Sequence, residues 1–240
     1  RALGSPVSGA TSAIVAHHLL VASDMAEVFK VLGNDEARTV IVVSPNHFSR
    51  GMSRAQVSEE SWDTVYGTVN ADAPAVESLI DAVPFLTHDE TAFAEEHGIY
   101  NLLPFVARSF PNAKIIPIIL REELSLENAW TLGATLAKQF PDAALIASVD
   151  MTHYHDAEYT ATNDQRVLDL IANEGRCNDA PCADVLDIDS NASMRVLFAW
   201  NAARGTTEFR LTHHGSSLSM GAAKDWHDNT SHILGYFVAP

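Results

Sequence analysis

Residues 38–45 read RTVIVVSP and run directly into Asn46, His47 and Phe48. A β-branched stretch with no polar residue on alternate positions describes a strand buried on both faces, as in parallel sheets covered by helices. Three more runs share this character: SAIVA (12–16), AKIIPIIL (113–120) and AALIASV (143–149). Between them lie stretches with helical spacing. These are 22–32, stopped by Gly33-Asn34, then 73–82, and 125–139, which Ser125 opens with a hydroxyl able to cap the first turn. Segment 97–110 is helical by the spacing of Ile99, Leu102, Leu103 and Val106, with Pro104 either kinking it or marking a first turn. Beyond His153 the pattern predicts a helix near 159–174, a polar loop holding Cys177 and Cys182, and a helix near 190–203 that ends at Gly205. Two terminal strands follow, TEFRLTH (207–213) and HILGYFV (232–238). Strand alternating with helix predicts an α/β fold, one domain over residues 1–240, whose mostly parallel or mixed central sheet is covered by helices on both faces.

At 240 residues such a chain buries enough surface to need no metal or disulfide merely to fold. Any metal is therefore expected to serve function. Fifteen Lys and Arg against 31 Asp and Glu leave a net charge of −16, which repels phosphate backbones and anionic lipid, so neither nucleic acid nor a membrane surface is an expected partner. The apolar runs VIVV and KIIPIIL fall short of the ~20 residues that span a bilayer. Cys177 and Cys182 bracket a turn-forming NDAP; they fit a small disulfide in an oxidising compartment or two free thiols in a reducing one. A cytoplasmic protein is expected. An exported form stays open, since the chain starts at Arg1 and the pair can bridge.

Four histidines fall where such a sheet would present them together: His17, His47, His97 and His153. In open α/β sheets ligands bind outside the carboxyl ends of the strands, where distant side chains converge. His17, His47 and His153 each follow a different strand, which is what a three-imidazole metal site needs. Asp150 leaves the same strand as His153 and can ligate or orient a neighbouring imidazole. Glu96-His97 can supply a proton-transfer group. The rings of His17 and His18 would face opposite ways on an extended strand, so at most one is expected in the site. His213-His214 with Gly215-Ser216-Ser217 reads either as a second lining of the crevice or as an exposed turn. No G-x-S-x-G elbow, P-loop or G-x-G-x-x-G turn is present, which removes the usual support for a serine hydrolase, a P-loop NTPase or a dinucleotide enzyme.

The ordered strings IVAHH (14–18), VSPNHF (43–48), EEHGIYNLLPF (95–105), SVDMTHYH (148–155) and ILGYF (233–237) resemble the Memo family, including the AmmeMemoRadiSam system protein B members. The resemblance covers about residues 10–238. It implies a fold akin to class III extradiol dioxygenases and a metal-capable cleft, with His17, His47 and His153 as the cleft histidines, Asp150 as their acidic neighbour and Glu96-His97 as the E-H pair. Departures are visible too. Ala16 stands where the family has proline, Tyr100 replaces a glutamate, and Ser190 stands about where the family has a cysteine, which argues against soft copper(I) chemistry.

The expected function is a Memo-like protein that binds Fe(II), Zn(II) or copper on His17, His47 and His153, with His97, Asp150 and Glu96 as catalytic groups, acting as a metal-dependent oxidoreductase. Ring cleavage is not expected of three histidines. The alternatives are a non-enzymatic module holding a small molecule or peptide in the same cleft, and a metal-dependent hydrolase. The sequence does not define an oligomeric state.

Overall fold

A computed structural model of the chain describes residues 6–33 and 39–240. Asn34 of the expected helix stop and Arg38 of the expected second strand lie outside the described residues. β1 (Ser12–Val15) leads through a short 3-10 turn into α1 (Ala22–Leu32), and the run quoted first forms β2 (Thr39–Pro45). An excursion then intervenes: β3 (Ala55–Val57), a hairpin of β4 (Ser61–Thr64) and β5 (Gly67–Asn70), the expected helix α2 (Ala73–Ala82) and β6 (Leu86–His88), of which the hydrophobic pattern announces only the helix. Three short helices follow, α3 (Glu90–Phe93), α4 (His97–Tyr100) and α5 (Leu103–Ser109). Segment 97–110 is therefore two helices, and Pro104 lies in the first turn of the second, where its missing N–H costs nothing.

Alternation resumes with β7 (Lys114–Leu120), α6 (Leu126–Gln139) and β8 (Ala144–Ser148). Ser125 caps α6 as expected, its Oγ accepting from Asn128 N at 3.1 Å. The chain ends with α7 (Ala157–Ala172), the two-residue strands β9 (Arg176–Cys177) and β10 (Ala180–Pro181), α8 (Asn191–Arg204), β11 (Glu208–Ser216) and β12 (Ser231–Val238). Cys177 and Cys182 form a disulfide beside the β9–β10 turn. Gly205 stops α8 in the left-handed region at φ +66°, a conformation glycine adopts without strain.

Eight strands form one mixed sheet in the order β11-β12-β1-β8-β2-β7-β3-β6. The central four, β1, β8, β2 and β7, run parallel; β12 and β3 join them antiparallel on either side. Side chains leave the central strands alternately into two cores. Ile14, Ile41, Val43, Ile116 and Ile118 face α2, α6, α7 and α8, whereas Val15, Val40, Val42, Ile115 and Ile119 face α1 and α5. Burial on both sides explains why these runs lack a polar alternation. On the first face α8 lies against α6, with Gly133 at the crossing: a Cβ there would collide with the Val196 carbonyl. No described helix is long and apolar enough to cross a membrane.

This topology positions the site. β8 is inserted between β1 and β2, so the residues after Val15, Ser148 and Pro45 emerge side by side at one edge.

Candidate metal centre

His17 follows β1, Asp150 follows β8 and His47 follows β2, and the three meet. The rings of His17 and His47 lie 4.8 Å apart at 88° to one another. His17 Nε2 is 3.3 Å from Asp150 Oδ2 and 3.1 Å from Asp189 Oδ2, and His47 Nε2 is 3.8 Å from the same Asp189 oxygen. Asp189 comes from the loop just ahead of α8. It is braced by Asp150, whose backbone N–H donates to Asp189 Oδ2 at 3.0 Å while Asp189 N–H donates to the Asp150 carbonyl at 3.2 Å.

Hydrogen bonds fix which nitrogen of each ring faces the cluster. Ser148 Oγ donates to the Gly98 carbonyl at 2.6 Å, so toward His17 Nδ1, 3.0 Å away, it acts as the acceptor. His17 therefore carries Nδ1–H and turns Nε2 to the two carboxylates. Glu96, fully buried, accepts from His47 N–H at 2.9 Å and from His47 Nδ1–H at 2.6 Å. His47 thus also presents Nε2, oriented by the carboxylate behind it as metal-ligating histidines commonly are. Two imidazole lone pairs facing carboxylate oxygens at 3.1–3.8 Å need a positive charge between them, supplied by a proton on the ring or by a metal ion. Ligand atoms around a tetrahedral ion bound at 2.0–2.1 Å lie about 3.3 Å apart, which matches these separations.

Charge follows the same pattern. Burial opposes protonation of His17, yet the adjacent Asp150 and Asp189 carboxylates raise its pKa above the ordinary value. His47 resists burial in the same way and is lifted to about 9 by Asp189 and Glu96. Asp189, which burial alone would push up, is held at about 2 by His17 and His47. Burial raises Asp150. His97 goes the other way, to about 4, through burial and the neighbouring His47 and His17.

His97 stacks on the face of His47, with centroids 4.0 Å apart and planes 29° apart. His17, His47 and His97 form one group with donor atoms within 4.8 Å. An ion in the plane of the His47 ring would nonetheless sit off the plane of a ring stacked upon it, so Asp189 is the better third ligand and His97 remains a neighbour at the mouth. His153 joins none of the donor groups among the described residues. After Asp150 the backbone pairs with the start of β12, through Met151 N–H to the Ser231 carbonyl and Ser231 N–H to the Thr152 carbonyl, and His153 bridges to Thr230, near enough to Asp150, Asp189 and His232 to act on them through charge but outside the donor groups. Ser190 does not reach the site either. Its Oγ accepts from Ser193 N–H as the cap of α8, and the preceding Asp189 is the residue that faces the histidines. His18, expected to turn away, meets His232 at 3.1 Å and forms a further donor group with Asp150. It does so because residues 16–18 lie beyond the last strand residue, where strand alternation no longer applies. Asp189 and His232 were not singled out by sequence. His213 pairs with Asp24 at 3.4 Å and His214 with Asp164 at 2.9 Å, the latter away from the centre.

A family model described as Memo-like protein matches residues 10–227. MEMO1 family proteins of Caldivirga maquilingensis, Pyrobaculum aerophilum and Methanosarcina mazei are 25%, 26% and 33% identical over 186, 202 and 142 residues. Those alignments cover 75%, 82% and 58% of this chain. They span 66%, 72% and 52% of the relatives, so the chain matches less than two-thirds of the first and third. Among solved structures, an uncharacterized protein of Escherichia coli K12 superimposes with a TM-score of 0.62 over 96% of this chain and all of its own, at 13% identity, a likeness of fold alone. On the family match over residues 10–227, this chain belongs to the Memo-like family.

Proposed function

We propose that the protein is a metal-dependent oxidoreductase whose centre holds one Fe(II) on His17 Nε2, His47 Nε2 and Asp189 Oδ2. The observation that carries the reading is the donor set itself: two neutral-capable imidazoles with tautomers fixed by Ser148 and Glu96, and one carboxylate 3.1 Å and 3.8 Å from their Nε2 atoms. Two histidines and one carboxylate on one side of an ion, with positions left over, is the arrangement of non-haem iron oxygenases. A carboxylate in place of a thiolate suits iron(II) or zinc(II) and disfavours copper(I). Bound there, Fe(II) would supply a redox-active Lewis-acid centre with room for oxygen and substrate.

The chain's own residues do the rest. Glu96 and Ser148 hold the two rings in the ligating tautomer. Asp150 braces Asp189 through the paired backbone contacts and keeps a carboxylate beside His17. His97 is half-exposed at the mouth, with Phe48 and Tyr100 edge-on to its ring. Kept neutral by burial and by the neighbouring rings, it can accept a hydrogen bond from a hydroxyl of a small molecule entering the cleft and so orient it.

Anaerobic loading with Fe(II) tests this. The ion should bind at this centre, and His47→Ala and Asp189→Asn should each weaken that binding at least tenfold. Loaded protein should consume oxygen with phenolic or catecholic substrates. If Zn(II) alone binds and the loaded protein hydrolyses esters, the hydrolase reading replaces this one. No ion above background would leave a non-enzymatic module for a peptide or small ligand.

A further inference from the structure

Asp150 belongs to two donor groups. One contains His17 and Asp189; the other contains His18 and His232, with one donor atom from each residue lying within 4.8 Å of the others. We propose that His18, His232 and Asp150 form a second metal position, joined to the first through the Asp150 carboxylate, so that the centre holds two ions. The proposal rests on the reading above for the first ion and adds the second.

Two observations support it. His18 Nδ1 lies 3.1 Å from His232 Nε2, the spacing of adjacent ligands on one ion as well as of a hydrogen bond. The Asp150 carboxylate also belongs to both groups: it has a donor atom within 4.8 Å of those of His18 and His232, and on the other side it touches His17. Its Oδ2 is 3.3 Å from His17 Nε2 and its Oδ1 accepts from His17 N–H, also at 3.3 Å. Paired metal sites place their ions about 3.5–4 Å apart, commonly sharing a ligand, and clamp a substrate from two sides.

Adjacent residues therefore serve different positions: His17 the first, His18 the second. Such a pair would bind a chelating substrate through two neighbouring oxygens, one on each ion, which narrows the substrate class to vicinal diols, catechols or α-hydroxy acids.

The whole chain, stripped by chelator and dialysed anaerobically against Fe(II), and in parallel against Co(II), should retain two equivalents by elemental analysis. His18→Ala should retain one, as should His232→Gln. Because His18 is exposed, its replacement carries the test should the buried His232 variant fail to fold, and the melting temperature of the metal-free protein checks that His18→Ala is folded. His47→Ala should leave the second position filled, again giving one equivalent. Magnetic coupling between two Co(II) ions should weaken the paramagnetic signal of the wild type and disappear in His18→Ala. A wild type that saturates at one equivalent, unchanged in His18→Ala, overturns the second position and leaves the first intact. A wild type that binds none overturns both.

Discussion

Replacing Glu96 with Gln changes one atom and should disable the centre from behind. The Glu96 carboxylate is fully buried and accepts three N–H groups: His47 N–H on Oε2 at 2.9 Å, and His47 Nδ1–H at 2.6 Å with Gly98 N–H at 3.0 Å on Oε1. Glutamine offers one acceptor and one donor group. With its oxygen kept at the Oε1 position, the amide NH2 meets the His47 backbone N–H, donor against donor. With the amide reversed, His47 must accept at Nδ1, and its proton moves to Nε2, where the ligand lone pair was. Either way a charge-assisted buried bond is lost, about 1.5–3 kcal/mol of folding stability. Loss of such an orienting carboxylate lowers metal affinity about 10–100-fold, or about 1.4–2.7 kcal/mol. Competition against a chromogenic chelator with Zn(II) as the probe reads the affinity, and urea denaturation of the metal-free protein reads the stability. Glu95→Gln is the control, since Glu95 is exposed and pairs with Arg50; it should change neither quantity more than about twofold. An affinity for Glu96→Gln within threefold of wild type would refute the account of how His47 is aimed.

Asp189→Cys should turn the donor set soft: Cu(I) affinity, read against a Cu(I)-selective chelator, should rise above wild type while Fe(II) affinity falls. A Cβ on Gly98 would overlap Ser44 Oγ and crowd Glu96 and His47, so Gly98→Ala should cost about 1–3 kcal/mol and weaken metal binding, and adding Ser44→Ala should restore both in melting and titration experiments. The hydrogen bond to Asp164 raises the His214 pKa, so His214 stabilises the fold below its unfolded value near 6.5, and that contribution fades as pH rises through the folded value. The gap in urea midpoint between wild type and His214→Gln should accordingly be widest near pH 6 and close toward alkaline pH. Replacing both Cys177 and Cys182 with Ser opens a loop with a sequence separation of 5, which chain entropy values at about 2 kcal/mol; denaturation without reductant should show that loss and with reductant should not.

Much of the architecture is legible because the central strands are buried on both faces. Runs such as Val40–Val43 and Ile115–Leu120 are apolar throughout, and the helices between them carry ordinary stop and cap signals. The four strands β3–β6 escape notice, though α2 between them does not, for the opposite reason: they are three or four residues long, and β4 alternates between exposed and half-buried positions. His17 and His47 are readable as site residues, each standing just past the end of a parallel strand. Asp189 is not. It sits in a loop with Asp184 and Asp187 that look the same in sequence, and it reaches the histidines only through the seating of α8 on α6 and its backbone pairing with Asp150. His153 illustrates the converse: it follows β8 as expected, but its backbone bridges to Thr230 ahead of β12 and it joins no donor group among the described residues, and no local pattern encodes that partner.

The interleaving of β8 between β1 and β2 also dictates when the protein can mature. A growing chain releases both histidine-bearing strands early, yet they cannot take up their final neighbours until residues 144–148 have been made, and the Asp189 carboxylate arrives later still. The donor set is consequently completed only late in biosynthesis. An incomplete chain, released by a stalled ribosome or a protease, carries the two histidines without the carboxylate that faces them.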